Sequence, residues 1–169
     1  AYIDEGTTVF ESGAILYYLA NKHERFLPLD SELRTQTMAW CFWQVGGLGP
    51  MMGQWGHFSG LPTAVDAKFN VDYAINRYRT ESIRLLTVLD HQLSVQPFLA
   101  GQYSIADMMC FPWVAGGLQR LRSTKTSELP RLLNIERWLE VISARPAVRN
   151  SLKKLSAMTS IADAPREQT

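Results

Sequence analysis

From position 31 onward the apolar residues of this chain recur at helical spacing, and no run of alternating apolar and polar residues interrupts them. The clearest pattern steps by three or four residues, through Ile75, Tyr78, Ser82, Leu85, Leu89 and Leu93. That spacing places the side chains on one face of a helix. The segment from Ile105 to about Gly117 is apolar almost all round, which predicts a helix buried in the core, and Ser104 and Asp107 form a capping box at its start. The chain is therefore expected to be mainly α-helical.

Capping and breaking residues set the other expected helix ends. Asp30 or Ser31 caps the first long helix. Glycines and a proline at 46–50 should bend or break that helix before it resumes over 51–57. The remaining segments are a helix over 130–144, a last short helix over 147–158 and a flexible polar tail over 159–169.

The first 21 residues have a different pattern. A short apolar strand, a turn that contains Gly6 and a second strand ending at Phe10 predict a β-hairpin over Tyr2–Phe10. Apolar residues at helical spacing follow at once, which predicts a helix over Glu11–Asn21. The hairpin and this helix make a ββα unit ahead of the helical bundle.

Glu11 and Ser12 lie at the junction of strand and helix, where backbone N–H groups of the first helical turn have no intrahelical partner. One reading is that both side chains only cap the helix. The other is that they bind an amino-acid-like zwitterion. Its carboxylate would take the Ser12 hydroxyl and the first-turn N–H groups, and its ammonium group would pair with Glu11.

The Gly-rich bend has a second group of candidates, Gln44, Gln54, Trp55 and His57. A helix bend can aim side chains into a cleft, and aromatic walls suit an apolar substrate. Equally, the Trp side chains belong to the core and His57 is a satisfied polar group. Arg77 is either a carboxylate-binding residue or part of a solvated helix face.

Composition excludes several classes of function. The formal charge of +1 provides no field for nucleic acid or anionic lipid, and no apolar run is long enough to span a bilayer. The N-terminus has no basic region followed by an apolar core, so we expect no secretory signal. Cys41 and Cys110 lie apart in apolar helical segments without CxxC or metal-ligand spacing, so we expect buried reduced thiols, no nucleophilic role and no metal.

Several separated motifs resemble one family. The run "AYIDEG…VFESGAILYYLA" is similar to the end of the thioredoxin-like domain of glutathione transferases. Three later runs resemble its nu-class branch, the YfcG/YghU-type disulfide-bond oxidoreductases: "WCFWQVGGLGPMMGQWGHF", "YAINRYRTES" and "YSIADMMCFPWV". The resemblance extends from Ala1 to about Met158. It implies a ββα remnant of a thioredoxin-like domain at 1–22 and a glutathione-transferase C-terminal helical domain at 31–158.

The resemblance also implies a function. Glutathione would be the cosubstrate, bound by Glu11, Ser12 and Arg77, and the bend residues would form the pocket for a small electrophile or disulfide. The protein would be a cytoplasmic homodimer. The βαβ unit that opens a thioredoxin-like domain is not present, so we expect the catalytic residue to lie upstream of Ala1 and this chain alone to be inactive. The alternative is a non-catalytic helical domain used for dimerisation or partner binding.

Overall fold

The computed structural model describes residues 1–61, 71–123 and 129–162, with side chains as far as 158. The chain begins with a hairpin in which β1 (Tyr2–Asp4) pairs antiparallel with β2 (Thr7–Val9). Its two turn residues, Glu5 and Gly6, both have positive φ, as in the type I′ turn that matches strand twist.

The rest of the described chain is helical. The helices are α1 (Ser12–Lys22), α2 (Ser31–Trp43), α3 (Gly49–Ser59), α4 (Asp72–Val95), α5 (Ile105–Ser123), α6 (Leu133–Ser143) and α7 (Pro146–Ala162). The prediction of a mainly α fold with a ββα start is confirmed. Part of the segment expected to be a flexible tail, 159–162, belongs to α7, and 163–169 lies outside the described residues.

The sequence predicted that the Gly-rich segment at 46–50 would bend or break the helix. It does not break the helix. Residues Gln44–Leu48 form a π-helical turn that joins α2 directly to α3, and the Gly49 N–H bonds the Gln44 carbonyl five residues back. A π turn absorbs one extra residue without ending the helix. Pro50, which has no N–H to donate, directly follows the π turn in the first turn of α3.

The core is centred on α5, which packs against α1, α2, α3 and α6. Its inward residues are buried: Ile105, Ala106, Met109, Cys110, Phe111, Val114, Leu118 and Leu121. The helix runs past the expected end at Gly117 to Ser123. A Cβ at position 117 would lie 2.6 Å from Met52 Sδ. Gly117 therefore serves the close approach of α3 to α5 and does not terminate the helix.

Buried Asp107 organises the start of α5. Its Oδ2 accepts hydrogen bonds from the Ser104 N–H and hydroxyl, at 3.0 and 3.2 Å. Its Oδ1 accepts from Leu99 N at 3.1 Å and from Trp138 Nε1 at 2.8 Å. Burial raises the pKa of this carboxyl above its ordinary value. One carboxylate thus joins the α5 cap, the preceding loop and α6.

The start of α6 is capped from another helix. Asp90 of α4 accepts from the backbone N–H groups of Asn134 and Ile135, at 3.0 and 2.9 Å, through the same oxygen, Oδ1. Its Oδ2 accepts from Asn134 Nδ2 at 2.9 Å. The residue at the N-cap position, Leu132, has no side chain that could do this.

Candidate functional site

Glu11 ends the hairpin in a backbone conformation that is rare for a side chain of its type. Its φ is 68° and its ψ is 126°, and its side chain makes no capping hydrogen bond. A positive φ at a residue with a Cβ is strained, and such strain is concentrated at functional sites. Glu11 and Ser12 are both exposed, and no other acidic residue lies in the first turn of α1. The first-turn N–H groups of α1 therefore have no side-chain cap.

A cavity of about 350 Å³ adjoins this helix start, and we call it the α1–α2 cavity. It is lined by Glu11, Ser12, Gly13, Ala14 and Tyr17, by Met38, Cys41, Phe42 and Val45, and by Ile105 and Met109 of α5. The polar groups of Glu11 and Ser12 thus belong to a lining that is otherwise largely apolar. Such a mixture of apolar walls and a few polar groups is typical of ligand sites.

Two side chains that line the α1–α2 cavity, Tyr17 and Cys41, have pKa values shifted from their ordinary values. The Arg34 guanidinium donates to Tyr17 Oη at 3.3 Å and lowers the pKa of that phenol. Burial raises the pKa of the Cys41 thiol to about 11, which leaves almost no thiolate at neutral pH. Cys41 is therefore poorly suited to attack a substrate. The sequence pattern did not identify Tyr17 and Arg34 as neighbours of this cavity, because their contact joins residues 17 positions apart.

A second cavity, of about 490 Å³, lies between α3 and α5, and we call it the α3–α5 cavity. Its lining is Met52, Gly53, Trp55, Gly56 and His57 from α3 with Pro112, Trp113, Gly116, Gly117 and Arg120 from α5. Two of the bend residues, Trp55 and His57, are therefore brought together here. Gln44 is instead buried in the π turn, and Gln54 is exposed outside the lining.

Arg120 of α5 is an addition to the predicted group. Its Nη1 donates to the Gly56 carbonyl at 2.8 Å, across 64 positions of sequence. Trp113 lies beside Gly53, where a Cβ would be 3.6 Å from the indole ring. These contacts need the packing of α3 on α5, so no local pattern could indicate them.

Arg77 lies in neither cavity. It is exposed on α4, a helix that packs mainly against α3 and α6, whereas α1 packs mainly against α5. Within one chain, the described contacts do not bring Arg77 to Glu11 and Ser12. In the described residues no group of three or more His, Cys, Asp or Glu side chains is placed to hold a metal ion. None of the described helices combines the length and apolar character that crossing a membrane requires.

Comparison with known proteins gives consistent relatives, although no family model matches the chain. It is 44% identical over 152 residues to disulfide-bond oxidoreductase YfcG of Escherichia coli, covering 89% of this chain and 66% of YfcG. It is 31% identical over 164 residues to glutathione S-transferase 2 of Schizosaccharomyces pombe, covering 88% of this chain and 69% of that protein.

A solved structure agrees with these relatives. The glutathione transferase of Pseudomonas putida, which has one glutathione disulfide bound per subunit, is similar with a TM-score of 0.77 and 39% identity. The match covers 86% of this chain and 62% of that one, so the chain spans slightly less than two thirds of YfcG and of this transferase. The matched sequences and fold show that the chain belongs to the glutathione transferase family.

Proposed function

We propose that this chain is part of a glutathione-dependent enzyme that reduces disulfides or conjugates glutathione to a small electrophile. The observation that carries the proposal is the uncapped start of α1, where strained Glu11 and exposed Ser12 face the α1–α2 cavity. The γ-glutamyl end of glutathione is a zwitterion. Its carboxylate binds the Ser12 hydroxyl and the first-turn N–H groups, and its ammonium group pairs with the Glu11 carboxylate.

The charge arrangement supports this placement. Within the described residues Glu11 and Ser12 have no ion-pair or side-chain hydrogen-bond partner, so their polar groups are available to a ligand. The strain at Glu11 is of the order of 1–3 kcal/mol, and no capping hydrogen bond from its side chain offsets it. By contrast, the start of α2 is already capped, because the Asp30 carboxylate accepts from Leu33 N at 2.9 Å.

The α3–α5 cavity is the proposed site of the second substrate. Trp55, Trp113 and Met52 give it apolar walls, and His57 and Arg120 give it polar groups. Two relatives favour a disulfide as this substrate. YfcG is named a disulfide-bond oxidoreductase, and the Pseudomonas putida transferase has glutathione disulfide bound.

The remaining expectations from the sequence are part of the same proposal. We take 1–22 and 31–158 as its two domains and Arg77 as a further glutathione contact. Two exposed apolar side chains, Phe42 of α2 and Val45 of the π turn that follows it, fit a homodimer interface. Two free buried cysteines fit a reducing compartment such as the cytoplasm.

The test is titration of the isotope-labelled chain with glutathione, followed by backbone NMR. We expect the amide signals of residues 12–14 to shift, with a dissociation constant near the millimolar range, which corresponds to about 4 kcal/mol. Cysteinylglycine, which lacks the γ-glutamyl group, should leave these signals in place. Shifts that are equal for both ligands, or absent with glutathione, would contradict the proposal and favour a non-catalytic dimerisation or partner-binding domain.

Two variants make the test specific. Ser12→Ala should weaken glutathione binding about threefold to tenfold, the effect of one lost hydrogen bond. Ser31→Ala is the matched control, because Ser31 occupies the same position at the start of α2, where Asp30 is the cap. It should leave the affinity unchanged.

A further inference from the structure

The α3–α5 cavity has an uneven distribution of polar groups. Its walls consist of Met52, Pro112, Trp113 and backbone exposed at four glycines, and no acidic side chain takes part in the lining. The cationic group is the guanidinium of Arg120. A positive group at the edge of an apolar surface suits a ligand that is apolar at one end and anionic at the other.

The position of Arg120 is fixed by its neighbour on α3. Nη1 donates to the Gly56 carbonyl at 2.8 Å, and a Cβ at position 56 would lie 2.7 Å from this nitrogen. Glycine at position 56 therefore permits the contact. In the part of the chain that the structure describes, Arg120 has no carboxylate within ion-pair distance. A guanidinium has five N–H donors, so the Nε and Nη2 edge can bind a carboxylate while Nη1 keeps the carbonyl.

A second donor belongs to a lining residue, Trp55, and has no partner among the described residues. Trp55 is 1% exposed, and its Nε1–H meets no acceptor among the residues described. A buried donor without an acceptor lowers stability by about 1–3 kcal/mol, so native proteins usually satisfy it. The nitrogen itself has less than 1 Å² of accessible surface, so it is closed to a ligand in the present packing. The donor that a ligand in the cavity can reach is the free edge of the Arg120 guanidinium.

The geometry points to a second substrate, whether disulfide or electrophile, that carries a flat apolar body and one carboxylate, with Arg120 as the residue that selects the carboxylate. The body lies against Trp113, which is held over Gly53. The carboxylate takes the free edge of the Arg120 guanidinium. This inference rests on the proposed function in that it names the substrate class of the same cavity, but its test does not require glutathione.

The experiment compares two probes of nearly equal shape, 2-naphthoate and its neutral amide, by calorimetry with the full chain. The carboxylate should bind at least tenfold more tightly than the amide. In Arg120→Met this ratio should fall to about one, with the affinity for the amide unchanged within twofold. Arg120→Lys, which keeps the charge but not the fork, should retain part of the preference. Circular dichroism verifies that each variant is folded.

Arg122→Met is the matched control. Arg122 lies one half-turn further along α5 and pairs with Glu136 outside the cavity, so its loss should leave the ratio intact. Equal affinities in the unaltered chain, no binding of either probe, or a preference that survives Arg120→Met would overturn the inference. A preference that depends on Arg120 in a chain that fails to bind glutathione would uphold it and refute only the glutathione site.

Discussion

Replacement of Asp107 by Asn tests whether the hydrogen bonds at the start of α5 stabilise the fold as their geometry implies. The change keeps the shape of the side chain and replaces one oxygen by an NH₂ group. Each oxygen of Asp107 accepts two hydrogen bonds: Oδ1 from Leu99 and Trp138, and Oδ2 from Ser104 twice. Whichever way the amide is oriented, its NH₂ group faces donors.

The expected loss follows from the better orientation. With NH₂ at the Oδ2 position, Leu99 N and Trp138 Nε1 keep their acceptor, and the Ser104 hydroxyl can turn to accept. The backbone N–H of Ser104 is then buried without a partner, which costs about 1–3 kcal/mol. Burial of a neutral amide is easier than burial of a carboxylate and offsets part of this. We expect the free energy of unfolding to fall by about 1–2 kcal/mol. Asp107→Ala, which strands all four donors, should lose more than 3 kcal/mol.

Urea denaturation at pH 7, followed by circular dichroism and tryptophan fluorescence, measures the difference. Asp90→Asn is the matched control, because Asp90 also caps a helix. There both backbone donors, Asn134 N and Ile135 N, share one oxygen. An amide can keep that oxygen in place, and the Asn134 side chain can turn to present its own. The loss at position 90 should stay below about 0.5 kcal/mol.

The comparison of the two positions decides the matter. Equal decreases in the free energy of unfolding at positions 107 and 90 would show that stability does not depend on how the donors are distributed over the two carboxylate oxygens. An increase in stability on Asp107→Asn would show that the penalty for burying the carboxylate exceeds the value of its hydrogen bonds. Either result would refute the reasoning above.

Three further predictions concern other sites. Ser82→Ala should raise the free energy of unfolding by about 0.5–1.5 kcal/mol, because the buried Ser82 hydroxyl has no partner among the described residues; lower stability in urea would contradict this. Iodoacetamide at pH 7 should modify Cys41 and Cys110 in the denatured chain but not in the folded one, since burial raises the pKa of both thiols; mass spectrometry measures the labelling. A hydrogen bond from Lys22 lowers the pKa of Asp4, so this contribution to hairpin stability is present above the ordinary pKa of 3.8 and is lost as the pH falls below it. NMR of the hairpin should show that loss, and in Lys22→Met it should become smaller, because the Tyr18 hydroxyl still donates to Asp4.

Periodicity was sufficient to predict the helices, because most helix stability comes from burying one apolar face. It failed where glycine had two possible uses. At Gly117 the sequence suggested the end of a helix, but the missing Cβ makes room for Met52. At Gly47 the chain stays helical through the π turn, where a Cβ would lie 3.6 Å from Leu85. Tertiary contacts decide between these uses, and they cannot be read from local sequence.

The candidate site shows the same division. Glu11 and Ser12 could be found because strand, junction and helix are adjacent in sequence. Trp55 and His57 could be found because they follow the bend. Arg120 could not be found, because it lies 64 positions from Gly56 in sequence and the two residues meet only where α5 packs on α3.

The cap that α4 supplies to α6 has a consequence for how the chain folds. Asp90 and Asn134 are separated by 44 residues, so the first turn of α6 gains its acceptor only after α4 has docked beside it. An isolated helix of 11 residues is marginal in water. Formation of α6 is therefore coupled to the docking of α4, and a local disturbance in one helix is transmitted to the other as a shared, all-or-none loss of protection against hydrogen exchange.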